Sequence, residues 1–261
     1  MSEHSSIDTR TFVDLYDDAP IWSALFGEPL LEEVVLSAAQ RIADLGCGTG
    51  YPTLELAARA GPSARVYGVD RWGAALERAV RKAESRAQQN VEFLCADVAA
   101  LPFPDSSIDI VTGNLLVNNV NDPGAMVAEI ERVLRPDGVC VFSTNAGDTF
   151  PEWLDLLERQ HPEFGDSIEA ERHRRLDEDG IAALFHAVGR WTIGVRHSRA
   201  VWQFSSAHAF IAHPFIRSWF VPNWSALFGA DSLPAVAESW PPGVPFCVLI
   251  PRLVFRAARA R

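Results

Sequence analysis

Between residues 41 and 145, short apolar runs alternate with segments of helical period. Ile42-Ala43-Asp44-Leu45 predicts a brief strand that leads into Gly46-Cys47-Gly48-Thr49-Gly50. Tyr51-Pro52 then opens a helix with Leu54, Ala57 and Ala58 on one face, proline being tolerated where a first-turn N–H has no partner anyway. Gly61-Pro62 ends it. Val66 to Asp70 predicts a second strand, after which Trp72, Ala75, Leu76, Ala79, Val80 and Ala83 recur at helical spacing with Glu77, Arg78, Arg81 and Lys82 opposite. Val91 to Cys95 and Ile108 to Val111 predict a third and a fourth strand. Asp122-Pro123 starts a helix as N-cap and first residue, with Met126, Val127, Ile130, Val133 and Leu134 along its buried stripe. Arg135-Pro136-Asp137-Gly138 breaks it before a fifth strand, Val139 to Phe142.

Strand and helix in repetition predict right-handed crossovers and a mostly parallel α/β sheet covered on both faces. Such a doubly wound sheet binds ligands beyond the carboxyl ends of its strands, near the switch in strand order. Residues 147–175 are charged with isolated aromatics (Phe150, Trp153, Phe164) and predict a helical insertion. Leu176 to Val188 is helical in pattern and Gly189 its C-cap. Trp191 to Val195 predicts a sixth strand and Cys247 to Phe255 a last one, in which Pro251 argues for a bulge or an edge position. Residues 201–246 are rich in Trp, Phe, His and Pro. The hexapeptide Trp22 to Gly27 recurs as Trp224 to Gly229, which one isolated copy does not make a repeat architecture.

Composition narrows the classes. A chain of 261 residues that is 48% hydrophobic has ample material for a core, which excludes disorder as its main state. Lys plus Arg number 23 against 34 Asp plus Glu, a net charge of −11, so phosphate backbones and anionic membranes are repelled on average. Cys47, Cys95, Cys140 and Cys247 show no metal-ligand spacing and are expected to be buried free thiols. The stretch Met1 to Ser6 lacks the basic and apolar regions of a signal peptide, and no apolar run approaches the roughly 20 residues that cross a bilayer. The expectation is a cytoplasmic protein, monomeric or homodimeric, that binds neither nucleic acid nor membrane.

The chemistry concentrates in the loop after the first strand. Its glycines permit positive φ and remove Cβ atoms that would block a ligand lying on the backbone, and the next helix start offers N–H groups to an anion. A dinucleotide fingerprint wants a glycine at position 51, where Tyr51 stands. Asp44 before the loop would repel a pyrophosphate yet suits an ammonium group. These two departures disfavour a dehydrogenase and point to an amino acid joined to a nucleoside. Asp70, ending the second strand, can accept both ribose hydroxyls, and Asp97, after the third, is placed for an adenine amino group.

This constellation resembles the class I S-adenosylmethionine-dependent methyltransferase family, small-molecule type. The likeness rests on Asp44 to Gly50, Gly68-Val69-Asp70, Ala96-Asp97-Val98, Leu101-Pro102-Phe103-Pro104-Asp105 and Arg132 to Gly138, in that order across residues 41–145. It implies a Rossmann-like seven-stranded sheet with the last strand antiparallel. The expected layout is one methyltransferase domain over 1–261, with a helical lid in 1–40, a cofactor-binding core in 41–145 and helical cap insertions over the acceptor site in 147–175 and 201–246. It also implies S-adenosylmethionine as cofactor. Gly46, Cys47, Gly48 and Gly50 would line its methionine part and Asp44 bond its amino group directly or through water. Asp70 would hold the ribose, Arg71 and Trp72 border the adenine, and Asp97 and Val98 contact its edge. Asn114 and Leu115 would lie under the sulfonium, and Tyr16 resembles an aromatic that closes over the cofactor.

The acceptor side departs from many small-molecule members. After the fourth strand stand Asn118 and Asn119, where those carry a histidine; asparagine can orient an acceptor but takes no proton near neutral pH. A base would have to come from His161, His173, His208 or His213, and His208 is the candidate carried forward. Asn114-Leu115-Leu116 is also unlike the Asn/Asp-Pro-Pro-aromatic motif of enzymes that methylate base or glutamine amino groups. Trp153, Trp202, Trp219 and Trp224 fall in segments expected either to cover an apolar acceptor or to pack the cap. The expected activity is methyl transfer by in-line displacement to a small apolar or aromatic metabolite of specialised metabolism. A protein of the same fold that binds the cofactor without transferring methyl, as a cyclase-type catalyst or a binding module, is the alternative.

Overall fold

The computed structural model describes residues 13, 17, 20–38 and 40–260. Seven strands form one sheet: β1 (Arg41–Leu45), β2 (Arg65–Asp70), β3 (Val91–Cys95), β4 (Ile108–Asn114), β5 (Leu134–Asn145), β6 (Trp191–Phe204) and β7 (Phe246–Arg259). Their order is β3-β2-β1-β4-β5-β7-β6 with the last strand antiparallel, as the family resemblance implies, and the order reverses between β1 and β4, which makes the sheet doubly wound. Pairing is parallel from β3 through to β5.

The helices in chain order are α1 (Pro20–Glu33), α2 (Thr53–Ala60), α3 (Gly73–Ser85), α4 (Pro123–Val133), α5 (Pro151–Gln160), α6 (Gly165–Arg172), α7 (Glu178–Val188), α8 (Ala207–Ala212), α9 (Pro214–Trp219), α10 (Val221–Phe228) and α11 (Ser232–Glu238). Strand alternation sorts the core into two faces. Ile42, Val66, Ile110, Val141 and Val254 point to one face, where Leu30 and Leu31 of α1 and Leu56 and Ala57 of α2 cover them. Phe142 and Phe255 point to the other, stacked at 5.4 Å, and Phe185 of α7 meets Phe255 edge-on at 5.8 Å. Both faces of the sheet are therefore shielded. Asp122 caps α4 as expected, its carboxylate accepting from the Ala125 N–H at 2.8 Å.

Three expectations need correction. Arg135 to Gly138 do not separate a helix from a strand but form an irregularity within β5, because pairing jumps from Ile108↔Leu134 to Ile110↔Val139. Gly138 is required there, since a Cβ would stand 2.9 Å from Leu134 and 3.0 Å from the Arg135 carbonyl. Pro251 does not mark an edge, because β7 lies inside the sheet between β5 and β6. Ala146, one residue past β5, donates to the Pro251 carbonyl at 3.1 Å, so the proline falls where that ladder has ended. The cysteines divide: Cys47 and Cys140 are buried free thiols, whereas Cys95 and Cys247 are exposed.

The chain separates into two compact units. The first comprises Met1–Thr144, Glu178–His197 and Leu253–Arg261, the second Asn145–Asp177 and Ser198–Arg252. The second unit has its own aromatic core. Phe150, Trp153, Phe210, Phe220, Trp224 and Phe246 are all buried, with Trp153 at 5.8 Å from Trp224 and Phe210 at 5.4 Å from Phe246. Trp153 and Trp224 are thus packing residues, and Trp202 and Trp219 are half-buried. Among the described residues no helix is long and apolar enough to cross a membrane.

Candidate functional site

The carboxyl ends of β1, β2 and β4 adjoin in register, with Asp44 beside Gly68 on one side and Thr112 on the other. Asp44 is fully buried, and its two oxygens accept from Thr53 Oγ1 at 2.5 Å and Thr112 Oγ1 at 2.7 Å. Burial dominates over these hydroxyl donors, with the Asp70 charge adding to it, and pushes the Asp44 carboxyl up to about 6.

The loop after β1 is sewn to the end of β2. The N–H groups of Gly46 and Cys47 both donate to the Val69 carbonyl, at 2.8 and 3.2 Å. Gly48 N–H donates to Asp70 Oδ2 at 2.8 Å, and Trp72 N–H to Asp70 Oδ1 at 2.9 Å. Gly46, Gly48 and Gly50 all take positive φ, which a side chain would oppose. Two of these glycines also make room for protein rather than only for a ligand. A Cβ on Gly46 would lie 2.6 Å from Leu116 Cδ1, and one on Gly50 would lie 3.1 Å from Ala79 and from Leu54.

A clamp holds the loop from behind. Lys82 of α3 donates to the Thr49 carbonyl at 3.0 Å and pairs with Asp17, which Arg78 also reaches at 2.8 Å. Burial opposes ionisation of Asp17, yet the hydrogen bonds from Lys82 and Arg78 outweigh it and hold the carboxyl below its usual range. Beyond β4, Leu115 takes φ of +60° and donates its N–H to the Ser143 carbonyl at 2.8 Å.

Comparison with known proteins decides the family. A model of the methyltransferase domain matches residues 43–142. The demethylmenaquinone methyltransferase of Geobacillus stearothermophilus is 32% identical over 175 residues, 61% of this chain and 74% of that protein. The chain belongs to the class I S-adenosylmethionine-dependent methyltransferase family. The malonyl-[acyl-carrier protein] O-methyltransferase of Halorhodospira halophila is 34% identical over 168 residues, 64% of this chain and 54% of that one. The chain spans about half the length of the first curated relatives it matches. A SAM-dependent methyltransferase from Aquifex aeolicus shares the fold, with a TM-score of 0.55 at 16% identity over 95% of this chain and 99% of that one.

Within this methyltransferase fold, the residues expected to hold the cofactor separate by exposure. Asp44 and Cys47 are enclosed, the thiol pushed up by burial and by the Asp44 and Asp70 charges. Asp70, Trp72, Val98, Asn114 and Leu115 are half-buried, and Arg71 and Asp97 are exposed. Asp97 turns its Oδ1 onto the Ala99 N–H at 2.9 Å. Asn114 bridges β5 and α1, accepting from Ser143 Oγ at 2.7 Å and donating to the Ser23 carbonyl at 3.0 Å. Asn118 donates to Thr144 Oγ1 at 2.9 Å and Asn119 to the Leu115 carbonyl at 2.6 Å, so both amides brace the turn after β4. His208 is exposed on α8 in the second unit. Tyr16 lies outside the described residues.

The sequence reading missed Thr53, Thr112, Lys82, Arg78, Asp17 and Leu116. Thr53 carried a weak signal, a hydroxyl residue at the start of a helix, but nothing in its spacing pairs it with a strand nine residues earlier. The segments Leu101 to Asp105 and Arg132 to Gly138 also prove to be one constellation. Arg132 donates to the carbonyls of Phe103 at 2.7 Å and Leu101 at 2.9 Å, while Glu129 accepts from the Leu101 N–H at 2.6 Å.

Proposed function

We propose that this chain transfers a methyl group from S-adenosylmethionine to a small-molecule acceptor of apolar or aromatic character. The observation that carries the reading is the anchoring of Gly48 to Asp70, which fixes a positive-φ glycine loop against a carboxylate at the next strand end. Each Asp70 oxygen accepts one backbone N–H and keeps lone-pair capacity for a ribose hydroxyl. The residues fit the cofactor: Gly46, Cys47, Gly48 and Gly50 would face its amino-acid part and Asp44 counter its ammonium charge from beneath. Asp70 would take the ribose, with Arg71, Trp72, Asp97 and Val98 around the adenine and Asn114 and Leu115 beside the sulfur.

S-adenosylmethionine supplies an electrophilic methyl on a positively charged sulfur. The chain's work is to hold an acceptor nucleophile in line with the breaking bond and keep water out. Orientation of this kind contributes on the order of 7–11 kcal/mol at its upper limit. Asn118 and Asn119 shape the acceptor side without accepting a proton, and His208 is the candidate base for a hydroxyl acceptor. The names of the relatives, a demethylmenaquinone and a malonyl methyltransferase, support methyl transfer over cofactor binding alone and a non-nucleic acceptor. The net charge of −11 supports the same exclusion.

Incubation with methyl-labelled S-adenosylmethionine and a panel holding a hydroquinone, a malonyl thioester and aromatic acids is expected to move label to one acceptor. Product that requires the cofactor while its label stays in place would refute transfer.

A further inference from the structure

The first unit carries a second concavity, at the end of the sheet opposite the glycine loop. There the amino ends of β1 and β4 meet the irregular stretch of β5 and the connection from α1 to β1, and a cavity of about 400 Å³ opens among them. That volume lies in the range of small-molecule sites. Its apolar side is made by Ile110, Val139 and Val35, the last an aliphatic residue left 73% exposed.

Four charged side chains line the cavity, and only two of them are matched. Asp109 accepts from the Arg41 N–H at 2.7 Å and from Arg135 Nη1 at 2.5 Å, so that pair is satisfied within the fold. Arg256 and Asp137 make no ion pair and no side-chain hydrogen bond among the described residues, and they do not pair with each other. Arg256 is the more costly of the two. It is half-buried on β7, which has a neighbouring strand on either side, and a cation drawn partly out of water there gains nothing in return.

The two unmatched charges are of opposite sign, and the four together sum to zero. A phosphate would meet two carboxylates in this cavity, and a simple carboxylate would leave Asp137 unmatched. A ligand that bears both charges cancels both. We propose that Arg256 and Asp137 form a site for a free α-amino acid with an aliphatic side chain. The guanidinium fork takes the α-carboxylate through two parallel N–H donors, and the Asp137 carboxylate accepts from the α-ammonium. The side chain lies against Val35, Ile110 and Val139. This site is apart from the strand ends that carry Asp44 and Asp70 and owes nothing to the methyltransferase reading.

The test titrates the full chain with leucine, with leucine amide, which lacks the carboxylate, and with 4-methylpentanoate, which lacks the ammonium, each followed by saturation-transfer NMR. Leucine is expected to bind at least about tenfold tighter than either analogue. Arg256→Met is expected to erase the difference between leucine and leucine amide, and Asp137→Asn the difference between leucine and 4-methylpentanoate. Both variants should keep wild-type affinity for S-adenosylhomocysteine in calorimetry. The comparison of the three ligands needs no variant, so it decides even if a variant does not fold. Equal binding of the three, tightest binding of 4-methylpentanoate, or no leucine binding at about 10 mM overturns the site. So does either difference surviving in its folded variant, or a loss of S-adenosylhomocysteine affinity that accompanies the loss of leucine. Absence of S-adenosylhomocysteine binding in the wild type, with the leucine preference intact, would instead overturn the methyltransferase reading alone.

Discussion

Thr53 donates a 2.5 Å hydrogen bond to Asp44, tying the first residue of α2 back to the end of β1. With Thr112 on the other oxygen, two hydroxyls support a carboxylate that has left water entirely. The glycine loop closes between these two tie points.

That arrangement makes the chain's stability depend on pH through Asp44. Its folded pKa of about 6 lies above the unfolded value of 3.8, so both states are neutral at low pH and the unfolded state ionises first as pH rises. The resulting destabilisation begins near pH 4 and is complete above about pH 6, at most about 3 kcal/mol at 1.36 kcal/mol per pKa unit. Denaturant unfolding of wild type and Asp44→Asn at pH 4.5 and 7.5 is expected to show the variant gaining relative to wild type as pH rises. A difference that does not change with pH would argue against it.

Asp70 has a double duty, anchoring the loop and facing the proposed ribose. Asp70→Ala is expected to weaken S-adenosylhomocysteine binding by about 10- to 100-fold, since hydrogen bonds to a charged group contribute roughly 1.5–3 kcal/mol. Asp70→Asn, which can still accept the Gly48 N–H, should lose less. Calorimetric titration of both variants distinguishes them; unchanged affinity in Asp70→Ala counts against the assignment.

Gly46→Ala faces two separate obstacles, φ of +66° and a Cβ 2.6 Å from Leu116 Cδ1. The backbone part alone costs about 1–2 kcal/mol. Adding Leu116→Ala should relieve the contact and leave the backbone part, a coupling measurable in a double-mutant cycle of unfolding free energies. Strict additivity would show that the two residues do not meet.

Arg132→Met removes donors from the Leu101 and Phe103 carbonyls and the partner of Glu129, whose carboxyl Arg132 holds below its usual range. A loss of about 2 kcal/mol is expected, from unmet backbone acceptors more than from the half-exposed ion pairs. Hydrogen exchange should rise first in the 101–105 loop. Unchanged exchange there would place the arginine's role elsewhere.

Much of the first unit was legible in the chain because local chemistry writes it. The strand–helix alternation over 41–145, the Asp122 cap and the glycine loop each follow from residues within one element, and the mostly parallel sheet followed from the alternation through the handedness of crossovers, while seven strands with the last antiparallel came from the family resemblance. The second unit was less readable. Its short helices, α8 to α11, meet α5 and α6 only across some fifty intervening residues, and no period in the sequence records which aromatics interlock.

The repeated hexapeptide separates the two kinds of information. Both copies are helical, and in each the spacing of four that the sequence writes puts an aromatic pair, Trp22 with Phe26 and Trp224 with Phe228, on one buried face. What the terminal glycine does was decided only by the surroundings. Gly27 continues α1, where a Cβ would stand 2.3 Å from the Tyr51 ring, while Gly229 ends α10 at φ of +83°. The hydroxyl partners of Asp44 belong to the same class. Hydrophobic period is carried by neighbours along the chain, whereas the pairing of a buried charge depends on which distant segments the fold brings within a few ångströms of it.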